Sequence, residues 1–114
     1  MVSTEPQDIE GVDPVTLEIL DRLVKTYHPE CIYLFGSKAR VEAGPDSDYD
    51  FLLVMPDDTS SELLSSAPAY HALWGLRAAA DIVIFTREKF DSRLSLKSSL
   101  PSTVVREGKL LYAA

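Results

Sequence analysis

Three short apolar runs limit the folds open to this chain. They are "CIYLF" (31–35), "DYDFLLVM" (48–55) and "DIVIF" (81–85), each rich in strand-favouring residues and closed by a turn or cap signal. Helical patterns stand between them. Asp13-Pro14 is a helix start, with Asp as N-cap and Pro at the first helical position. From there Val15, Ile19, Leu20, Leu23, Val24 and Tyr27 recur at helical spacing, until Pro29 ends the pattern after His28. Gly36 stops the first strand, Ser37 is placed to cap a short helix over "KARVEAG", and Gly44-Pro45 ends it. After the second strand, Pro56-Asp57-Asp58 turns the chain into a helical region over 60–79, whose apolar stripe is Leu63, Leu64, Ala67, Tyr70, Trp74 and Ala78. Pro68 predicts a kink or a fresh start near Ser65-Ser66. Thr86 caps a helix through "REKFDSRL", and the tail reads as a helical turn closed by Gly108, then an edge strand from Leu110 to Tyr112.

Alternation of this kind in a small unit predicts an α+β, two-layer fold, a small mixed β-sheet with helices packed on it. The strand ending "FLLVM" is apolar on both faces and is expected at the centre of that sheet. Residues 1–12 are acidic and polar and read as a flexible lead, leaving 13–114 as a single domain.

Composition excludes several classes of function. A formal net charge of −7 opposes sequence-independent binding to nucleic acid, which requires a basic surface. An acidic protein still binds a nucleotide where metal ions carry the positive charge. No apolar run approaches the roughly 20 residues of a membrane span, and the N-terminus has no signal-peptide pattern. Cys31, the single cysteine, rules out an internal disulfide and fits a cytoplasmic setting. His28 and His71 lack ligand-spaced companions for zinc. Tyr70 and Trp74 sit at helical spacing and are expected in the core.

The stretch "FGSKARVEAGPDSDYD" (35–50) carries the chemistry. Residues i and i+2 of a strand share a face, so Asp48 and Asp50 project side by side, their Cα atoms about 6.5 to 7 Å apart. Two such carboxylates repel without a cation, but they span a pair of metal ions, which in phosphoryl-transfer sites lie about 3.5 to 4 Å apart. Ten residues separate the two aspartates from Gly36-Ser37, where Gly36 lets the chain turn sharply. Ser37 at a helix N-terminus offers a hydroxyl beside unpaired N–H groups, a seat for phosphate, where Lys38 and Arg40 are available to offset phosphate charge. Asp81 opens the third strand, and a sheet that sets this strand beside the second completes a three-carboxylate cluster. Each feature alone has a plain reading as a turn, a cap or a solvated strand end.

Taken together, "LFGSKARVEAGPDSDYDFLLV" and the later "ADIVIF" resemble the minimal nucleotidyltransferases, the small prokaryotic branch of the polymerase-β-like superfamily. The family pattern of Gly-Ser, ten residues, Asp-x-Asp and a later Asp is matched by Gly36, Ser37, Asp48, Asp50 and Asp81, and "VVREGKLLY" is similar to its usual ending. Val41 departs from the family, which most often has Gly there. The resemblance implies that Gly36 and Ser37 hold the phosphates of a nucleoside triphosphate. Asp48 and Asp50 would bind two Mg2+ (or Mn2+) ions, and Asp81 would bind the catalytic ion and favour deprotonation of an acceptor hydroxyl. It also implies transfer of AMP from ATP to a tyrosine of a HEPN toxin partner, the chain being the antitoxin and a possible homo-oligomer. Exposed apolar residues on 60–79, or around Leu94 and Leu96, would suit partner binding. Modification of a small molecule, as by aminoglycoside nucleotidyltransferases, stays open as an alternative. So does a glycosyltransferase using Asp-x-Asp, and so does neutralisation of a partner by occlusion without catalysis.

Overall fold

A computed structural model describes residues 14–36, 49–76 and 80–114 of the chain. The expected lead (1–12), the cap and short helix over 37–44, and Lys38, Arg40, Val41 and Asp48 lie outside the described residues.

Helix α1 runs from Pro14 to Tyr27, followed by β1 (Cys31–Phe35), β2 (Tyr49–Met55), α2 (Ala67–Ala72), β3 (Ala80–Thr86), α3 (Arg87–Ser92), α4 (Leu100–Glu107) and β4 (Lys109–Ala113). The strands form one mixed sheet in the order β3-β2-β1-β4. β2 pairs antiparallel with β1 and parallel with β3, and β4 pairs antiparallel with β1. The mixed sheet with helices packed on it is the expected α+β arrangement, and β2 is the covered central strand.

Period-two alternation divides β2 between two cores. Tyr49, Phe51, Leu53 and Met55 meet Ile19, Leu20, Leu23 and Tyr27 of α1 and Ala69 of α2. Leu52 and Val54 meet Cys31, Phe90 of α3 and Val104 of α4 on the other face. Each fully buried Leu contributes about 2 kcal/mol of transfer free energy, which is why the unbroken run "FLLVM" fixes this strand at the centre. The helices therefore divide between the faces, α1 and α2 on one side and α3 and α4 on the other.

Local signals set the helix ends. The His28 N–H donates to the Val24 carbonyl at 2.9 Å, and His28 takes a left-handed conformation before Pro29. The Thr86 hydroxyl accepts from Lys89 N–H, as its N-cap position predicts, and the Asp57 carboxylate accepts from Glu88 N–H at 2.8 Å. Gly108 ends α4.

The region 60–79 departs from the long helix expected of it. It breaks into a 3-10 turn (Ser61–Leu64), the short α2 with Pro68 in its first turn, and a further turn through Gly75. The fresh start near Ser66 is where Pro68 predicts it. The apolar stripe is corrected: Leu63, Ala69, Leu73 and Leu76 face the core, whereas Leu64, Tyr70 and Trp74 are exposed, Trp74 to 85 %. Pro68 at the start of α2 and the positive φ of Gly75 after it keep the region from continuing as one helix. Two hydrogen bonds seat what remains: Tyr27 hydroxyl donates to the Ser65 carbonyl at 2.8 Å and accepts from Ala69 N–H at 3.0 Å.

Candidate active site

The ends of three strands meet at one margin of the sheet. β1 runs towards it and stops at Phe35, while β2 and β3 start there. Phe35 is the register partner of Asp50, and Asp50 is the register partner of Asp81 on the parallel strand. Register partners share a sheet face, so the two carboxylates project together, about one strand spacing of 4.8 Å apart at the backbone. That face is the one bearing Leu52, Val54 and Phe85, covered further along by α3 and α4. Asp81 is exposed and Asp50 half-buried, as a pair of side chains must be if a ligand is to reach them.

Gly36 follows β1 directly and has a φ of 73°. A Cβ placed on it would overlap the Asp50 carboxylate. Glycine is thus required twice, for the left-handed turn and for the space taken by the carboxylate. Among the described residues no three His, Cys, Asp or Glu side chains gather closely enough to hold a metal ion. Of the three expected ligands, Asp50 and Asp81 are described and lie together, while Asp48 lies outside, as do Ser37, Lys38 and Arg40. An all-oxygen carboxylate pair held against a glycine cradle is a donor set suited to a hard divalent cation such as Mg2+ or Mn2+.

Away from this margin, Arg87 binds Glu30 at 2.8 Å and Asp91 at 3.1 Å and lies over the Phe90 ring. It clamps α3 against the start of β1. Its guanidinium is also 3.8 Å from the Cys31 sulfur, yet burial, the larger influence, pushes the Cys31 thiol up. Cys31 is therefore a packed, unreactive thiol. Sequence reasoning missed the Arg87 clamp, because nothing in the spacing of Glu30 and Arg87 marks them as neighbours.

With this geometry in hand, the comparison with known families is decisive. The family model for the nucleotidyltransferase domain matches residues 16–110. The chain belongs to the nucleotidyltransferase domain family. Two solved structures share its fold. One is a Sulfolobus solfataricus protein assigned as a nucleotidyltransferase, with a TM-score of 0.57 and 19% identity over 87% of this chain and 78% of that one. The other is the MntA–HpeT toxin–antitoxin pair in a mutant with two Asp-to-Glu changes two positions apart, with a TM-score of 0.53 and 21% identity over 83% of this chain and 71% of that one. A comparison with curated proteins finds no match. Among the described residues no helix is long and apolar enough to cross a membrane.

Proposed function

We propose that this nucleotidyltransferase-family chain moves AMP from ATP to a hydroxyl of a partner protein, acting through a single domain over 13–114. The observation that carries the reading is the Asp50–Asp81 register pair with Gly36 packed against the Asp50 carboxylate. In this reading Asp48, Asp50 and Asp81 hold divalent cations. Gly36 and Ser37 receive the triphosphate at the end of β1, and Lys38 and Arg40 offset its charge. Divalent cations held by these carboxylates would supply the positive charge that offsets the triphosphate. Asp81, exposed at the margin, stands where an acceptor hydroxyl would approach, and its carboxylate favours loss of the hydroxyl proton. In this reading the backbone N–H groups that follow Gly36 would offer a seat for phosphate oxygens.

The family match supports the reaction class. The acceptor rests on a fold likeness to a toxin–antitoxin protein whose structure was determined with two nearby aspartates altered, and on the acidic balance of this chain, which disfavours nucleic acid. A HEPN toxin tyrosine is the acceptor we assign.

The test is intact-mass spectrometry of the protein encoded beside this chain, after incubation with ATP and Mg2+. Mass increments of one or more adenylate units are expected, and they should vanish with Asp81→Asn while the complex still forms. A partner that is neutralised with its mass unchanged would identify occlusion and overturn the transferase reading.

A further inference from the structure

The charges of this acidic chain are segregated. From Ser92 to Arg106 there are three cations, Arg93, Lys97 and Arg106, and no acid. From Ser60 to Leu76 Glu62 is the one Asp, Glu, Lys or Arg; Asp57, just before this stretch, is turned to the start of α3. Each stretch also exposes apolar side chains: Leu94 and Leu96 in the first, Tyr70 and Trp74 in the second. The two surfaces lie on opposite sides of the sheet, since α2 packs with α1 and the 93–99 loop joins the helices of the other face. They cannot meet within one molecule.

Their shapes are complementary as well. Between α1 and α2 an open groove of about 680 Å³ is lined by Thr26, Glu62, Ser65, Pro68, His71 and Ala72. Beside it Trp74 stands out from a turn whose Ala72 and Trp74 carbonyls accept from the Arg22 guanidinium at 3.1 and 3.2 Å. The 93–99 loop projects Leu94, Leu96 and Lys97, and it is already ordered. Ser99 Oγ donates to the Arg93 carbonyl at 2.6 Å, Leu96 N–H donates to the same carbonyl at 3.1 Å, and Arg106 donates to the Lys97 carbonyl at 3.3 Å. A loop fixed in advance loses little conformational entropy on docking.

We propose that the 93–99 loop of one copy docks in the α1–α2 groove of a second copy. Leu94 and Leu96 enter the apolar groove, Lys97 and Arg93 meet Glu62, and Trp74 offers its ring face to a cation at the rim. The contact is head-to-tail and leaves a groove and a loop unfilled at the two ends, so it propagates instead of closing as a symmetric dimer. It does not depend on the transferase reading.

Sedimentation equilibrium of the purified chain tests this. At low salt the mass should exceed the 12.6 kDa monomer and rise with concentration. In about 1 M NaCl, where the Debye length falls to about 3 Å, it should return towards the monomer. Arg93→Glu with Lys97→Glu, and separately Glu62→Arg with His71→Arg, should each weaken association about tenfold or more. These four side chains are exposed, so circular dichroism should be unchanged. An equimolar mixture of the two variants should regain association, because the unaltered loop of one fits the unaltered groove of the other. A wild-type chain that stays monomeric at all concentrations, or variants that fail to complement each other in mixture, would overturn the proposal.

Discussion

Gly36 and Asp50 occupy adjoining space at the end of β1, so closely that no side chain fits at position 36 beside the Asp50 carboxylate. Gly36→Ala is therefore expected to act on stability and on the site together. The left-handed φ alone costs an L-residue about 1–2 kcal/mol, and the overlap must displace the carboxylate. A lowered urea midpoint with transfer largely lost is the expected result. An alanine variant with wild-type stability and rate would mean that Gly36 does not shape the site.

The Asp50–Asp81 pair makes a prediction that does not need an acceptor. Asp50→Asn and Asp81→Asn should each weaken Mn2+ binding measured by calorimetry without nucleotide. Asp81 is exposed, so its replacement should leave folding stability within about 0.5 kcal/mol. Equal Mn2+ affinity in wild type and both variants would remove these residues from the list of ligands.

Tyr27→Phe isolates one buried hydroxyl. The change keeps the ring but removes an acceptor for Ala69 N–H and a donor for the Ser65 carbonyl. Ala69 N–H keeps its 3.0 Å bond to the Ser66 carbonyl, but the Ser65 carbonyl loses its donor, so the expected cost is about 1 kcal/mol. Hydrogen exchange should accelerate at Ala69 and its neighbours in α2 while the β2 amides stay protected. Uniform acceleration throughout the chain would show that α2 does not open by itself.

Alkaline pH supplies a further test. Burial, the leading influence in both cases, pushes the Cys31 thiol above its ordinary value of 9.0 and the Tyr27 phenol above 10.0. The folded chain thus holds these protons after the unfolded chain has released them. Stability is full below pH about 9 and falls as pH rises through the folded values. Denaturant midpoints should be flat just below that pH and drop above it, and Cys31→Val should reduce the earliest part of the drop. A midpoint that holds steady beyond pH about 10 would contradict the burial of both groups.

Several local signals in the chain were readable to within about two residues, the helix expected through Leu94 ending at Ser92. Cys31–Phe35 is a strand with the bounds that Gly36 and Pro29 suggest, Pro14 opens α1, and Thr86 caps α3. These depend on caps, breakers and period, which act over a few positions. The fate of 60–79 was not readable from periodicity, since Tyr70 and Trp74 have helical spacing whether or not sheet surface remains for them to cover. The site was legible as residue types and gaps. That Asp81 lies beside Asp50 depends on strand order, a non-local fact that the Asp81 strand shares with any other apolar run of five. The family resemblance supplied it, and the β2–β3 ladder accounts for it in physical terms.

Parallel pairing of β2 with β3 also dictates when the site comes into being. A hairpin closes with a few residues, but a parallel neighbour needs a crossover, here residues 56–79, 24 positions between the strand ends. Closing a loop of that length is entropically slower than forming the β1–β2 ladder. A refolding chain is thus expected to pass through a stage in which Asp50 is in place and Asp81 is not. Divalent cations cannot accelerate that early stage, because the pocket that would hold them does not yet exist. They can only slow the reverse step, the peeling of β3 from the finished sheet.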